Sequence, residues 1–306
     1  MPVLARAVLL RLSNSPVAER FVRRSRASAG LVRRFIAGET LDSACAVVRD
    51  LNAAGMSATL DYLGENVTNP AEARASVETC LRTQNAIRER GLNANVSVKL
   101  TQLGLDIDTD LATENLRAVV ENGERLGQFV RIDMESSAHT ERTLAVHRSL
   151  WQSHRNVGIV LQSYLYRTDA DLEAAIAQGI RVRLVKGAYD EPASVAHRKK
   201  TDVDAAFLRQ AKRLLDAGDY PAIATHDERL IRGCQEHAVS IGLSLASYEF
   251  QMLYGIRRDL QTALCGLGHP VRIYTPYGEK WYGYMMRRLA ERPANLWFIV
   301  KNLFRR

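Results

Sequence analysis

The chain contains no uninterrupted apolar run approaching the roughly 18–20 residues that a membrane-crossing helix needs. Its four cysteines, Cys45, Cys80, Cys234 and Cys265, are scattered, with no CxxC pair and no histidine at metal-ligand spacing. That excludes a disulfide-stapled scaffold and a zinc centre, and suits reduced, mostly buried thiols in a reducing compartment. No glycine-rich GxGxxG turn follows the first strand candidate, where the residues are Leu63-Gly64-Glu65-Asn66; an open dinucleotide-binding sheet expects one there. No low-complexity segment or linker divides residues 41–306. Acidic residues are scarce at the amino terminus: residues 1–38 carry eight arginines against the single acid Glu19. A secretory signal is excluded there because Arg6 and Arg11 interrupt any apolar core. An organelle transit peptide fits the composition, but short amphipathic helices covering one end of a domain fit it better. Nucleic-acid binding expects aromatics interleaved with the basic residues, and only Phe21 and Phe35 are present.

What is there is the composition of an ordinary soluble protein: 306 residues, 46% hydrophobic, 25% charged, with a formal net charge of +8. This length supports one large domain or two ordinary ones. From residue 41 onward, short aliphatic runs at 58–60, 94–98, 129–132, 157–161, 180–185, 222–224, 243–246 and 271–274 alternate with segments of helical period. The helical segments are 69–90, 110–126, 139–152, 169–178, 202–217, 227–240, 251–264 and 278–291. Eight such pairs over about 250 residues have the size of a (β/α)8 barrel. The expectation is therefore an N-terminal helical segment over 1–40 and a catalytic barrel over 41–306, with an extra C-terminal helix.

A barrel presents its chemistry at the carboxyl ends of its strands. Reading those ends in order gives Glu65, Lys99, Asp133-Met134-Glu135, Gln162, Arg183 to Tyr189, Thr225-His226-Asp227, Glu249 to Gln251 and Tyr274. They are polar and chemically able, whereas the strand interiors read as mostly aliphatic. Lys99, pointing from a strand end toward the mouth, needs a negative partner such as Asp133, Glu65 or a substrate carboxylate. Lys186 admits three readings: a Schiff-base lysine as in barrel aldolases, a cation beside a ligand at the small-residue turn Gly187-Ala188, or packing. In the last helix, Tyr284, Arg287 and Arg288 stand at i, i+3 and i+4, which places a ring and two guanidiniums on one face. Such a face grips a small carboxylate through forked hydrogen bonds. Asp106, Asp108 and Asp110 suggest a calcium loop, but Leu111 and Arg117 stand where that loop needs Gly and Glu. A turn into a helix explains them. Residues 266–270 read as a turn before the last strand, and His139, His147, His154, His237 and His269 as surface or packing residues.

Taken together, the strand ends resemble the proline dehydrogenase family. The matching pieces are Leu63-Gly64-Glu65, Ser97-Val98-Lys99-Leu100, Ile132-Asp133-Met134-Glu135, Leu161-Gln162-Ser163-Tyr164-Leu165, the run Arg183 to Tyr189, Ala224-Thr225-His226, Tyr248-Glu249-Phe250-Gln251-Met252 and Tyr284-x-x-Arg287-Arg288. They occur in order over residues 58–295. The resemblance implies a distorted (β/α)8 (TIM-like) barrel with FAD at its mouth, an eighth helix over the substrate pocket, and oxidation of L-proline to 1-pyrroline-5-carboxylate. It implies that Lys99, Arg287 and Arg288 bind the proline carboxylate, that Tyr274, Tyr284 and Leu184 wall the ring, and that Asp133 and Arg183 are catalytic. It implies FAD contacts from Met134, Gln162, Arg183, Lys186, Gly187, Ala188, Thr225 and His226, and a gate pairing Glu65 with Arg287.

Relatives that prefer hydroxyproline carry a smaller polar residue where Tyr274 stands, so unsubstituted proline is the expected substrate. The resemblance also implies a monofunctional bacterial enzyme whose partners are a membrane quinone and a separate pyrroline-5-carboxylate dehydrogenase. A cytoplasmic location follows, with peripheral contact at the inner face of the cell membrane through the apolar, basic-ended segment 296–306, or packing of that segment on the barrel instead. A Schiff-base aldolase using Lys186, a hydroxyproline-preferring relative and a basic nucleic-acid-binding protein are the alternatives.

Overall fold

The computed structural model describes Arg20, Val32 and residues 34–64 and 67–291, the last five through their backbone alone. Eight parallel strands close in sequence order into a barrel: β1 (Ser57–Tyr62), β2 (Ala94–Val98), β3 (Val130–Ile132), β4 (Val157–Gln162), β5 (Val182–Val185), β6 (Ala222–Ala224), β7 (Glu249–Leu253) and β8 (Val271–Tyr277). The helices are α1 (Leu41–Ala53), α2 (Pro70–Glu89), α3 (Thr109–Leu126), α4 (Ser137–Trp151), α5 (Thr168–Ala177), α6 (Lys200–Ala217), α7 (Glu228–Ser240), α8 (Arg258–Gly266) and α9 (Trp281–Glu291). The (β/α)8 expectation holds.

Local chemistry sets the helix ends. Asn69 caps α2 by accepting from the Glu72 amide, with Pro70 at the first turn, where a missing N–H costs nothing. Asp108 caps α3 through the Leu111 amide, so the aspartate run is a helix entry, as its sequence implied. Gly127 ends that helix at φ +68, a conformation that favours glycine.

Two elements differ from the sequence reading. The aliphatic run at 243–246 is not the seventh strand: Leu245–Ser247 form a 3-10 turn, and the strand is Glu249–Leu253. An aliphatic run was the wrong signal there, because this strand alternates polar and apolar residues and turns its polar ones into the barrel. The following helix is displaced to Arg258–Gly266 for the same reason. The second difference is α1, which packs against both β1 and β8. It fills the groove between first and last strands that an eighth outer helix would cover. Released from that groove, α9 joins an apolar cluster of Ile36, Leu63, Trp281, Tyr282, Tyr284, Met285 and Met286 that includes Tyr274 at its edge.

The apolar strand residues, among them Leu60, Val96, Val98, Ile132, Leu184, Phe250 and Ile273, join the helices in one large core. Their alternating neighbours are buried and polar: Thr59, Asp61, Asn95, Ser97, Arg131, Asp133, Arg183, Glu249 and Gln251. The expectation of mostly aliphatic strand interiors is thus corrected. Most apolar positions face the helices and most inward ones are hydrogen-bonding groups, as the two-residue period of a strand requires, with Val160, Val185 and Ala224 as apolar positions on the cavity.

His147 on α4 is 1% exposed and stacks on Trp151 at 5.5 Å. Burial pushes its imidazole down to about 4. Below pH 6.5 the unfolded chain binds a proton that the folded chain refuses, so this residue removes stability as pH falls from about 6.5 to 4. That is about 3 kcal/mol in all, at 1.36 kcal/mol per unit. Urea unfolding of His147→Leu beside the parent should show the stability gap narrowing or reversing by about 2–3 kcal/mol between pH 7 and pH 4.5. A gap that does not change with pH removes the assignment.

Candidate active site

A cavity of about 740 Å³ opens at the carboxyl ends of the strands. Its chemical centre is the Asp133 carboxylate, one residue past β3. Oδ1 accepts from the Ser97 hydroxyl at 2.5 Å and Arg183 Nη1 at 2.7 Å. Oδ2 accepts from the Tyr274 hydroxyl at 2.6 Å and Lys99 Nζ at 3.4 Å. Burial by itself raises this carboxyl, but Lys99, Arg183 and the two hydroxyls outweigh it and hold it below the usual carboxylate range. The donors come from β2 and its end, β5 and β8, so one carboxylate ties together elements from three sides of the barrel.

Lys99 has a closer partner than Asp133. Its ammonium lies 2.8 Å from Oδ1 of Asp61, which is wholly buried on β1. Burial pushes the Asp61 carboxyl up despite the attraction of Lys99. Tyr274 is driven well above the ordinary phenol value by burial and by the neighbouring Asp133 and Asp61 carboxylates, so it stays a hydrogen-bond donor. Its ring stands 5.3 Å from the Arg183 guanidinium. Arg183 Nε donates to Gln251 at 2.5 Å, whereas its Nη2, buried at the cavity, has no hydrogen-bond partner.

The cavity continues along the ends of β5 and β6. Gly187 has φ +114, and a Cβ there would meet the Tyr164 ring at 2.4 Å, so only glycine fits. Lys186 lies 2.6 Å from Asp204 and 3.5 Å from Asp227. Burial by itself raises the Asp227 carboxyl, but Arg229, Lys186 and Lys200 outweigh it and hold it down at about 2. His226 Nε2 accepts from the Leu253 amide at 2.9 Å, which fixes the ring to β7. Gln162 donates its side-chain amide to the Glu135 carbonyl at 2.8 Å, holding it at the cavity wall.

Of the residues singled out from sequence, Lys99, Asp133, Met134, Gln162, Arg183, Lys186, Gly187, Ala188, Thr225, His226, Tyr274 and Tyr284 all line this one cavity. Leu184 does not. It is fully buried in the main core, and the cavity side of β5 is taken by its neighbours Arg183 and Val185. Glu65 and the side chains of Arg287 and Arg288 lie outside the described residues; the backbone of α9 carries positions 287 and 288 one turn beyond Tyr284. Sequence reasoning missed Asp61 and Ser97, which serve Lys99 and Asp133. A carboxylate at an alternating position in the apolar strand Ser57–Tyr62 was the available signal. Lys186, bridging two carboxylates, is not the desolvated lysine that Schiff-base chemistry needs. Among the described residues, no group of three or more His, Cys, Asp or Glu is placed to hold a metal ion.

Replacing Asp61 by Asn should cost about 3 kcal/mol, because it removes the nearer carboxylate of a buried ammonium and leaves Asp133, at 3.4 Å, as its counter-charge. Combined with Lys99→Met, the loss should be smaller than the sum of the two single losses. Additive urea-unfolding energies would show that the pair is not coupled.

Comparison with known proteins places this cavity in context. A family model described as proline dehydrogenase matches residues 44–301. Proline dehydrogenase 2 of Bacillus subtilis (strain 168) is 40% identical over 303 residues, covering 98% of this chain and 99% of that protein. Proline dehydrogenase of Deinococcus radiodurans is 38% identical over 307 residues, covering 99% and 98%. Among solved structures, proline utilization A from Bdellovibrio bacteriovorus, inactivated by N-propargylglycine, aligns with a TM-score of 0.82 at 25% identity, covering 95% of this chain and 37% of that one.

Proposed function

This chain belongs to the proline dehydrogenase family, and on that premise we propose that its cavity binds FAD and oxidises L-proline to 1-pyrroline-5-carboxylate. The observation that carries the reading is the Asp133 cluster, which sets Lys99, Arg183 and Tyr274 side by side at the cavity wall. Three features suit a flavin. The cavity volume of about 740 Å³ lies within the cofactor range. Arg183 Nη2 is buried without a partner, ready for an electron-rich acceptor. Gly187 and Ala188 line the cavity with small residues. Lys186, Gly187, Ala188, Thr225 and His226 would hold the cofactor along the ends of β5 and β6, with Met134, Gln162 and Arg183 on the adjoining wall. Bound there, FAD would supply the acceptor for that hydride, which carries both electrons of the oxidation.

The protein's own groups bind and orient the amino acid. Oxidation takes a hydride from the ring carbon next to nitrogen and a proton from the amine, leaving a C=N bond. Lys99, with Arg287 and Arg288 from α9, clamps the substrate carboxylate, so the ring presents one edge. Asp133 holds Arg183 and Tyr274 at fixed positions relative to that clamp, which keeps the electrostatic environment preorganised. Tyr274 and Tyr284 flank the ring. The Tyr274 hydroxyl is already engaged by Asp133 and Lys99 at 2.6 and 3.3 Å. A ring hydroxyl on the substrate would compete with that arrangement, which favours unsubstituted proline. The Glu65–Arg287 gate belongs to the same proposal. So do transfer of electrons to a membrane quinone from the inner face of the cell membrane and consumption of the product by pyrroline-5-carboxylate dehydrogenase. These last rest on the family resemblance. No described helix is long and apolar enough to cross a membrane, and residues 296–306 lie outside the described residues.

The purified protein should be yellow, and L-proline should bleach its flavin band; a colourless protein, or a band indifferent to proline, defeats the reading. Lys99→Met and Arg288→Met should each raise KM for proline by about tenfold or more, equivalent to losing about 1.4 kcal/mol of binding, while flavin absorbance persists. Unchanged KM in both variants would remove these residues from the carboxylate clamp.

A further inference from the structure

The other mouth of the barrel, at the amino ends of the strands, holds a second cavity of about 460 Å³. Arg88, Arg131, Arg181 and Arg272 line it, against one lining carboxylate, Glu249, while Asp219 beyond the lining pairs with Arg181 Nε at 3.1 Å. We propose that this cavity is a binding site for a small, multiply charged oxyanion, separate from the site at the carboxyl mouth.

Three observations carry the site. Arg131 on β3 is only 3% exposed, yet its charge is not matched by any carboxylate within ion-pairing distance among the described residues. Its Nη1 donates to the carbonyls of Ile159 and Arg181 at 2.9 and 2.6 Å, and its Nε has no partner. A buried guanidinium held by carbonyl dipoles and one aromatic face is costly without a counter-charge. Burial, together with Arg183 and Arg272, pushes Arg131 well below its ordinary value, although Glu249 and Asp133 oppose this. Secondly, the neighbouring cations are preset. Phe129 lies beneath both Arg131 and Arg181, at 4.8 and 5.6 Å, and Tyr220 supports Arg181 at 5.3 Å. Tyr220 keeps φ +42, a strained conformation for a tyrosine. Thirdly, the single lining acid is occupied: both Glu249 oxygens accept from Arg272 Nε at 3.0 Å. Guanidiniums arranged around a concave, half-enclosed space recognise oxyanions by forked hydrogen bonds.

The probes are inorganic phosphate and malonate, each titrated calorimetrically into the full-length protein at matched ionic strength, with chloride as control and saturating L-proline present. One site per chain is expected for at least one probe, and the stronger probe identifies phosphate or dicarboxylate as the ligand class. Arg181→Gln, at a half-exposed side chain, should weaken that binding about tenfold. Glu249→Gln should strengthen it several-fold, a gain that a merely structural role for these residues does not produce. Absence of binding by either probe up to tens of millimolar overturns the proposal. Binding that Arg181→Gln leaves unchanged overturns it equally, since the anion then sits elsewhere, whether or not proline oxidation proves to be the activity.

Discussion

One buried carboxylate organises the catalytic mouth. Asp133 accepts four donors, Ser97 and Lys99 from β2 and its end, Arg183 from β5 and Tyr274 from β8. A carboxylate desolvated to this degree is tolerable only when its lone pairs are filled and its charge is balanced. Each donor is therefore held to a hydrogen-bonding distance, and the cavity wall acquires its shape from that requirement. Asp61 repeats the device one strand away, where it supplies the counter-charge that keeps Lys99 at the mouth. The consequence for function is preorganisation: cationic and phenolic groups stand ready before any substrate arrives.

The same logic extends down the barrel axis. Arg183 is bonded to Gln251, Gln251 to Glu249, Glu249 to Arg272, and Arg272 Nη1 to Asn95, which accepts the Thr59 hydroxyl at 2.6 Å. A continuous polar column thus runs from one mouth to the other inside a shell of aliphatic packing. Such a column fixes strand register, because a slip of one residue would drive Asp61, Asp133 and Glu249 into the apolar layer beneath the helices. It is also a demanding design, since a network with missing partners is worse than an apolar interior.

Much of this was legible along the chain. The alternation of short aliphatic runs with helical periods named the barrel, and polar strand ends named most of the cavity, because in this architecture both mouths are made of loops and strand termini. The family resemblance of those ends was confirmed over residues 44–301. The errors share one cause. The run at 243–246 was taken for a strand because it is aliphatic, yet the strand that closes the barrel, Glu249–Leu253, has polar residues at its inward positions. Asp61 and Ser97 were overlooked for the same reason, being polar residues inside strands where aliphatic neighbours dominate.

Residue order alone decided the number and sequence of elements, the helix caps, and which segments would end in chemistry, because these depend on periodicity and on neighbours within a few positions. Which charge meets which was settled only on folding. Lys99 and Asp61 are 38 positions apart, and Arg183 and Asp133 are 50. Closing eight strands into a ring brings such residues within 3 Å, and no local pattern records that distance. The same closure sent α9 to the mouth, once α1 had occupied the groove between β8 and β1. The apolar residues Trp281, Tyr282, Tyr284, Met285 and Met286 of α9 fasten it there, in a cluster with Ile36 and Leu63.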